Sequence, residues 1–360
     1  MNLTRIILEL YRSVLFRLFN RKMVGVMSPG VGCHIEPFRY DENHGDVVHP
    51  CVRYIKDGFE GNHWWMVYTP YYAADAAMEN PILCYSESKE HVPPTDWKVY
   101  CLVNEKPEDG YNSDPTLLYH NGQLYVYWRE NIVKNKDKYS YSRATFCALV
   151  GNKTVQKLDE PVLVAKVEHE DPECCPTFMV SDNGELLAYA MHLQFFNPKI
   201  RAMRSIFKSF IERGIFVLDL LGIYSQQKSY GVAIWQGGRD ASKPFKYAES
   251  IQFSNKNHLW RPWHMDFFDY DGKRYAVVQS NMCNADIVLA WSDDNRHFSF
   301  YPKPLITNKS IDKLGIYKPC AFVLNGNFYL FYTAQDKDNR ALNKLYMTQM
   351  DFNELKTRIK

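Results

Sequence analysis

The sequence predicts an all-β chain: one five-bladed β-propeller with an N-terminal amphipathic helix and a helical insertion between blades three and four. Three observations carry that expectation. A motif recurs five times, each copy holding a polar anchor, an apolar strand, a Gly turn and a second strand rich in Tyr and Trp. Between copies lie further strand-like segments closed by polar turns, such as Ser292-Asp293-Asp294-Asn295 before His297-Phe298, so each unit reads as a four-stranded meander. Aromatic residues make up 15% of the chain, which suits pleated, half-buried surfaces. Stacked units of this length bury a core only against their neighbours, and radial closure leaves short, protected edges.

The first element is residues 1–24, read as an amphipathic helix. Leu3, Ile6, Ile7, Leu10, Val14 and Leu18 fall on one helical stripe, with Arg5, Arg12, Arg21 and Lys22 off it or flanking it. Two readings stand: a helix packed on the body, or a basic helix in a membrane interface. Its charges interrupt it too often for a bilayer span, and no small-residue cleavage site follows. Pro29 and Gly30 then break the helix.

Residues 33–350 carry the propeller. Copy one runs from His49-Pro50 to Trp64–Tyr68, and copy two from Asp114-Pro115 through Gly122 to Leu124–Trp128. Copy three runs from Cys175-Pro176 through Gly184 to Leu186–Tyr189, and copy four from His264 through Gly272 to Tyr275–Val278. Copy five runs from Lys318-Pro319 through Gly326 to Phe328–Tyr332. The interval between copies three and four is the longest and holds an insertion at about 195–229, apolar and basic at helical spacing from Lys199 to Arg213. Its period is not that of a strand, which argues against a sixth blade. Segments 3–20 and 199–223 together suit peripheral contact with an anionic membrane surface.

The innermost strand of a propeller blade begins at the mouth of the axis, and residues two apart share a face. The expected pit therefore gathers His49, Asp114, Glu173, His264, Asp266 and Lys318, a ring of ionisable groups suited to acid/base chemistry. Arg129 and Glu130 follow the second aromatic strand, His192 ends the matching strand of blade three, and Trp263 precedes the fourth anchor. All four are candidate substrate contacts, and three have a structural alternative: a salt bridge for Arg129 and Glu130, blade packing for Trp263. Lys318 suits a carboxylated or phosphorylated sugar.

These anchors resemble the five-bladed propeller glycosidases, the superfamily around glycoside hydrolase family 43. The resemblance covers about residues 45–350 and is most specific over Ser113–Trp128, where Asp-Pro opens a blade and a Gly turn leads to an aromatic strand. It implies carboxylates on the first three blades as base, orienting residue and acid. Asp114 then matches the orienting Asp. The first-blade position holds His49 in place of Asp, and the third-blade Glu-Gly-Pro stands as Cys174-Cys175-Pro176 with Glu173 one place early. Glu173 is the first choice for general acid, with Glu170 and Asp171 as alternatives. The base is Asp46 or Asp266, with His49 as the less orthodox option.

The resemblance thus implies a carbohydrate partner and a glycosidase-like activity on a glycan. A silent carbohydrate-binding propeller and a glycosyl-transfer enzyme are its alternatives. No P-loop or Gly-rich strand-to-helix fingerprint implies an organic cofactor, and no clustered Asp/Asn loop argues for axial Ca²⁺. The net charge of +2 carries no preference for polyanions, and no nucleic-acid motif is present. Nine Cys without Cys-x-x-Cys spacing favour a reducing compartment. The expected setting is cytoplasmic, peripheral at the inner membrane face, with a lipid-linked saccharide of surface polysaccharide assembly as substrate.

Overall fold

Alternation of side chains along each inner strand shows how the blades pack. On the strand Asn62–Thr69, Trp64, Met66 and Tyr68 enter one core while Trp65 and Val67 enter the next. Every strand buried on both faces in this way needs a sheet on either side. A computed structural model shows that arrangement and describes residues 23–38, 46–72, 75–135, 140–164, 171–193, 232–254, 262–280, 286–335 and 342–360.

In chain order, β1 (Val31–Gly32) and β2 (His34–Ile35) precede blade one, which is β3 (Val48–Phe59), β4 (Asn62–Thr69), β5 (Ile82–Ser86) and β6 (Asp96–Leu102). Blade two holds β7 (Gly110–His120), β8 (Gln123–Asn135), β9 (Ser140–Gly151), β10 (Thr154–Lys157) and β11 (Leu163–Val164). Blade three is β12 (Asp171–Val180), β13 (Leu186–Leu193), β14 (Val232–Gln236) and β15 (Lys246–Ser254). Blade four is β16 (Pro262–Tyr270), β17 (Lys273–Ser280), β18 (Asp286–Ser292), β19 (His297–Phe300) and β20 (Ile306–Thr307). Helix α1 (Asn308–Ile311) leads to blade five, which is β21 (Leu314–Leu324), β22 (Asn327–Gln335) and β23 (Asn343–Asp351), followed by helix α2 (Phe352–Ile359). The two outer edges of blades three and four also meet, through parallel pairing of Gln252–Ser254 with His297–Ser299.

Five apolar cores fill the five blade interfaces, blade five closing on blade one through Trp64, Tyr68, Phe331 and Cys320. Aromatic faces stack across two of these seams, Tyr127 on Phe178 at 3.7 Å and Tyr189 on Phe267 at 4.1 Å between ring centroids. Helix α2 starts on an Asp351 cap that accepts from the Glu354 amide and lays Phe352, Leu355 and Ile359 on the seam of blades four and five.

Closure depends on the segment before blade one. Met27 N donates to Leu305 O of blade four, β1 adds to β23 as the outer strand of blade five, and β2 pairs in parallel with β6 of blade one. β1 and β23 thus share a sheet, which covers the outer edge of blade five over this stretch.

Two expectations change. The insertion does not separate blades three and four; the chain leaves after β13 and returns at β14, so residues 194–231 interrupt blade three between its second and third strands. The interval between anchors lengthens equally in either case, which is why spacing alone misplaced it. The expected helices at 3–20 and in the insertion lie outside the described residues. Among the described residues no helix is long and apolar enough to cross a membrane.

The segment before blade one forms a strap that is tight at Gly30, whose amide donates to the Tyr332 hydroxyl at 3.0 Å and where an added Cβ would stand 2.8 Å from Met347 O. Backbone on both sides leaves no flexible atom to yield, so Gly30→Ala is expected to cost about 1–3 kcal/mol. Urea unfolding checks this; a midpoint unchanged from wild type would mean that the strap contributes nothing to closure.

Candidate functional site

The anchors reach the axis because the ladders break at them. Register shifts fall between Val48 and Cys51, Ser113 and Thr116, Cys174 and Thr177, and Tyr317 and Cys320. Each spans an X-Pro pair, where Pro has no N–H to give the ladder and the extra residue must bulge. His49 and Asp114 take the left-handed conformation there, at φ 54° and 52°. For a non-Gly residue before Pro this is strained, by about 1–3 kcal/mol, and strain of this kind clusters where side chains are aimed for function.

Three of the aimed side chains converge. His49, Asp114 and His264 are buried, and one ligand-type atom from each lies within 4.8 Å of the others. His49 Nε2 is 3.2 Å from Asp114 Oδ1 and 3.3 Å from the Tyr317 hydroxyl. The His264 ring stands edge-on to Tyr317 at 4.4 Å and to His49 at 5.3 Å between centroids. The other Asp114 oxygen, Oδ2, is 2.7 Å from Arg129 Nη2, an ion pair rather than a well-directed hydrogen bond. Arg129 is held in turn by Ser113 Oγ, to which Asn131 Nδ2 also donates.

A carboxylate that reaches this group from outside the predicted ring is Glu79. It follows the short 3₁₀ turn Ala76–Met78, which Asp75 caps. Its Oε2 lies 3.3 Å from His49 Nδ1, beside the Thr69 hydroxyl at 3.0 Å from the same nitrogen. Burial raises the Glu79 pKa, and the adjacent His49 only partly offsets that. For Asp114 burial also opposes ionisation, but the Arg129 guanidinium, first among the nearby positive charges, holds the carboxyl well below its usual range. His264 is driven well below 6.5 by burial and then by His49, so it is a neutral imidazole at physiological pH.

The remaining expected residues divide. Lys318 opens blade five as anticipated, but it is buried and its Nζ donates to Pro115 O at 3.0 Å, tying blade five to blade two. Trp263 is half-buried with its ring 5.6 Å from His264. Arg129 and Glu130 are neighbours on a strand and point to opposite faces: Arg129 meets Asp114, whereas Glu130 pairs with Lys157 at 3.0 Å, away from the axis. Asp46 accepts from the Tyr71 amide and from both Asn343 nitrogens, the backbone one at 2.6 Å. A carboxylate so engaged locks a blade seam and is not poised to activate water. Asp266 lies one tier below His264, paired with both Arg53 guanidinium nitrogens at 2.9 and 3.1 Å and accepting from the Ala321 amide at 3.1 Å. It too is committed. Glu173 lies on β12 and His192 on β13, with side chains outside the described residues.

Sequence reasoning missed Arg53, Glu79 and Tyr317 as contributors. Arg53 lies beyond the bulge at His49-Pro50, where counting by twos from the anchor no longer reports its direction. Glu79 comes from a loop, where no period reports direction.

Two imidazoles and a carboxylate, buried and convergent, fit a divalent cation of the zinc class, whose catalytic sites use three such protein ligands and leave positions open. Arg129 occupies Oδ2 and leaves Oδ1 toward His49. The neutral state of His264 is the ligating form.

No protein-family model matches the sequence, and no curated protein matches it. Solved structures do share its fold. An N-acetylgalactosamine deacetylase from F. plautii, in complex with blood group B trisaccharide, aligns with a TM-score of 0.61 at 14% identity, covering 92% of this chain and 97% of that one. A GH43_1 enzyme from Xanthomonas citri aligns at 0.57 and 12% identity, over 92% and 93%. CoXyl43, a GH43 β-xylosidase/α-arabinofuranosidase from a compost microbial metagenome, in complex with xylotriose, aligns at 0.57 and 15% identity, over 89% and 94%. The chain thus shares the five-bladed propeller fold of these enzymes.

Two outcomes follow from the geometry. Arg53→Met leaves Asp266 buried and unpaired and is expected to cost about 3–5 kcal/mol, most of it recovered in the Arg53→Met/Asp266→Leu double variant. Equal losses in single and double variants, read by denaturant titration, would show that the pair is not coupled. In chelator-treated protein, His264 stays neutral while its unfolded counterpart takes up a proton as pH falls through 6.5. Stability should therefore fall below that pH, with a slope of up to about 1.4 kcal/mol per pH unit. His264→Asn should flatten this part of the curve; an unchanged slope would mean that the folded imidazole is charged.

Proposed function

We infer that the chain is a carbohydrate-active hydrolase working at the axial pit, and that it removes an acyl group from a sugar with the help of a divalent cation held by His49, Asp114 and His264. The observation that carries this reading is the convergence of those three buried side chains within 4.8 Å. A bound cation of this class polarises a carbonyl and lowers the pKa of water. An acyl carbonyl can use both effects, whereas an acetal carbon offers no carbonyl to polarise. Asp46 and Asp266, the two carboxylates expected as the base, are engaged in blade-to-blade bonds. The fold shared with the F. plautii N-acetylgalactosamine deacetylase supports the same class. In this reading Arg129 holds Asp114 in its ionised, ligating form, and the Tyr317 hydroxyl and Trp263 line the approach to the sugar.

A second reading, cleavage of a glycosidic bond, is favoured by the place of Glu173 on β12 beside the third anchor and by the glycosidases that share the fold. Amphipathic segments 3–20 and 199–223 extend either reading to a lipid-linked saccharide at the inner membrane face, a setting supported by sequence alone.

The test is one assay with two readouts. Purified protein is offered N- and O-acetylated amino-sugar oligosaccharides together with xylo- and arabino-oligosaccharides, and acetate and new reducing ends are followed. Acetate release that stops with chelator, returns with Zn²⁺ and falls by more than about a hundredfold in Asp114→Asn and His264→Gln is expected, since loss of a ligand should exceed the 10–100-fold cost of losing an outer partner. Reducing ends released regardless of chelator would establish the glycosidase instead. Binding with neither product would leave a silent carbohydrate-binding propeller.

A further inference from the structure

Glu79 has no part in the predicted ring of anchors, yet it is buried at 6% exposure with Oε2 against His49. Among the described residues that oxygen has no hydrogen-bond partner, and it stands at ion-pair distance from His49 Nδ1, whose hydrogen bond runs to the Thr69 hydroxyl. The loop is built to deliver it. Asp75 caps the turn through the Ala77 amide, the Glu79 amide donates to Ala76 O, and Glu79 O accepts from the Asn112 amide of blade two. A buried carboxylate costs stability unless something donates to it.

The two nitrogens of His49 face different surroundings. Nδ1 has the Glu79 carboxylate at 3.3 Å and the Thr69 hydroxyl at 3.0 Å. Nε2 has the Tyr317 hydroxyl at 3.3 Å, a group able to donate to it, and Asp114 Oδ1 at 3.2 Å. A neutral imidazole carries one N–H, and which nitrogen holds it is set by the partner of the other.

We propose that Glu79 is a positioning residue that accepts the Nδ1–H of His49, fixing the tautomer and ring orientation that turn the Nε2 lone pair toward Asp114 and His264. With the proton on Nδ1, Nε2 and Asp114 Oδ1 present two lone pairs to one another 3.2 Å apart. That juxtaposition is unfavourable on its own and is relieved by a cation between them. Glu79 thus does from behind what a carboxylate does for a metal-bound imidazole: it orients the ring and raises its basicity. The inference rests on the pit reading only for its consequence on cation affinity; the tautomer of His49 is independent of any substrate or metal.

The experiment is therefore in two parts on the full chain. Histidine ring nitrogens are labelled with ¹⁵N, and long-range ¹H–¹⁵N correlation reads the protonated nitrogen of His49, assigned by the signals missing from His49→Gln. Zn²⁺ and Co²⁺ affinities are measured by titration. Wild type should show Nδ1–H. Glu79→Met, which keeps volume and removes the acceptor, should shift His49 toward Nε2–H or a mixture and weaken Zn²⁺ binding by about 10–100-fold. Glu79→Gln, which keeps an acceptor oxygen, should fall between them and carries the test if Glu79→Met does not fold. A wild-type Nε2–H tautomer, or an unchanged tautomer and affinity within twofold in the variants, overturns the proposal. A shifted tautomer in a protein that binds no divalent cation upholds Glu79 and removes the cation from the functional reading.

Discussion

The bidentate pair of Arg53 with Asp266 is the interaction on which the centre of the molecule depends. It joins blade one to blade four across the axis, and its two members reach further: Asp266 accepts from Ala321 of blade five, and Arg53 Nε donates to Leu117 O of blade two at 3.3 Å. Blade three is tied in beside it by the Thr177 hydroxyl on Met265 O. A buried ion pair is weak as a source of net stability, because desolvation of both charges offsets their attraction. Its effect here is specificity. Any closure with a different blade register would leave two buried charges unpaired, a penalty that the five apolar seams alone would not impose.

The same pair forms the lower of two tiers of buried side chains at the axis. Cys51 and Cys320 lie in its tier, with Cys51 Sγ at 3.4 Å from Thr116 Oγ1 and Cys320 Sγ accepting from the Val52 amide at 3.2 Å. Above that tier stand His49, Asp114, His264 and Lys318. Within regular ladder a period of two puts Cys51 with Arg53 on β3 and His264 with Asp266 on β16, while the X-Pro bulges take His49 and Lys318 out of that count. Upper members meet the pit, and lower members lock the blades. Lys318 belongs to both tiers, since its backbone is held by Gln279 while its side chain spans to Pro115 O.

This division explains what could be read from the sequence. The propeller was legible because each inner strand announces itself twice, by an aromatic run buried on both faces and by a Pro that can stand only at a ladder break. His49, Asp114 and His264 were legible for the same reason, as anchors in a repeating frame. Asp266 was placed at the axis correctly by alternation, but alternation says which face a side chain takes and nothing of whether another group already holds it. Asp46 failed in the same way: its partners, Tyr71 and Asn343, come from distant parts of the chain. Glu79 lay in a turn without periodicity, and only the fold brings it behind His49. The insertion was seen as an insertion, but its place within blade three depends on which strand resumes the sheet, and β14 carries no anchor of its own.

Register is the quantity that both tiers share. A slip of one residue on β3 would turn Cys51 and Arg53 out of the axis together. The X-Pro bulges prevent it, because the chain can place Pro50 or Pro115 only where no ladder bond is required. The left-handed His49 and Asp114 are the cost of that pinning, retained because their side chains gain the axis. Once register is pinned by Pro and by the lower tier, the upper tier is free to change its chemistry without disturbing the fold. Structures at 10–15% identity can then superpose over nine-tenths of the chain while the first-blade anchor is a histidine here. Fold and reaction are set by alternate layers of the same strands, and the reaction must be argued from the layer that faces the pit.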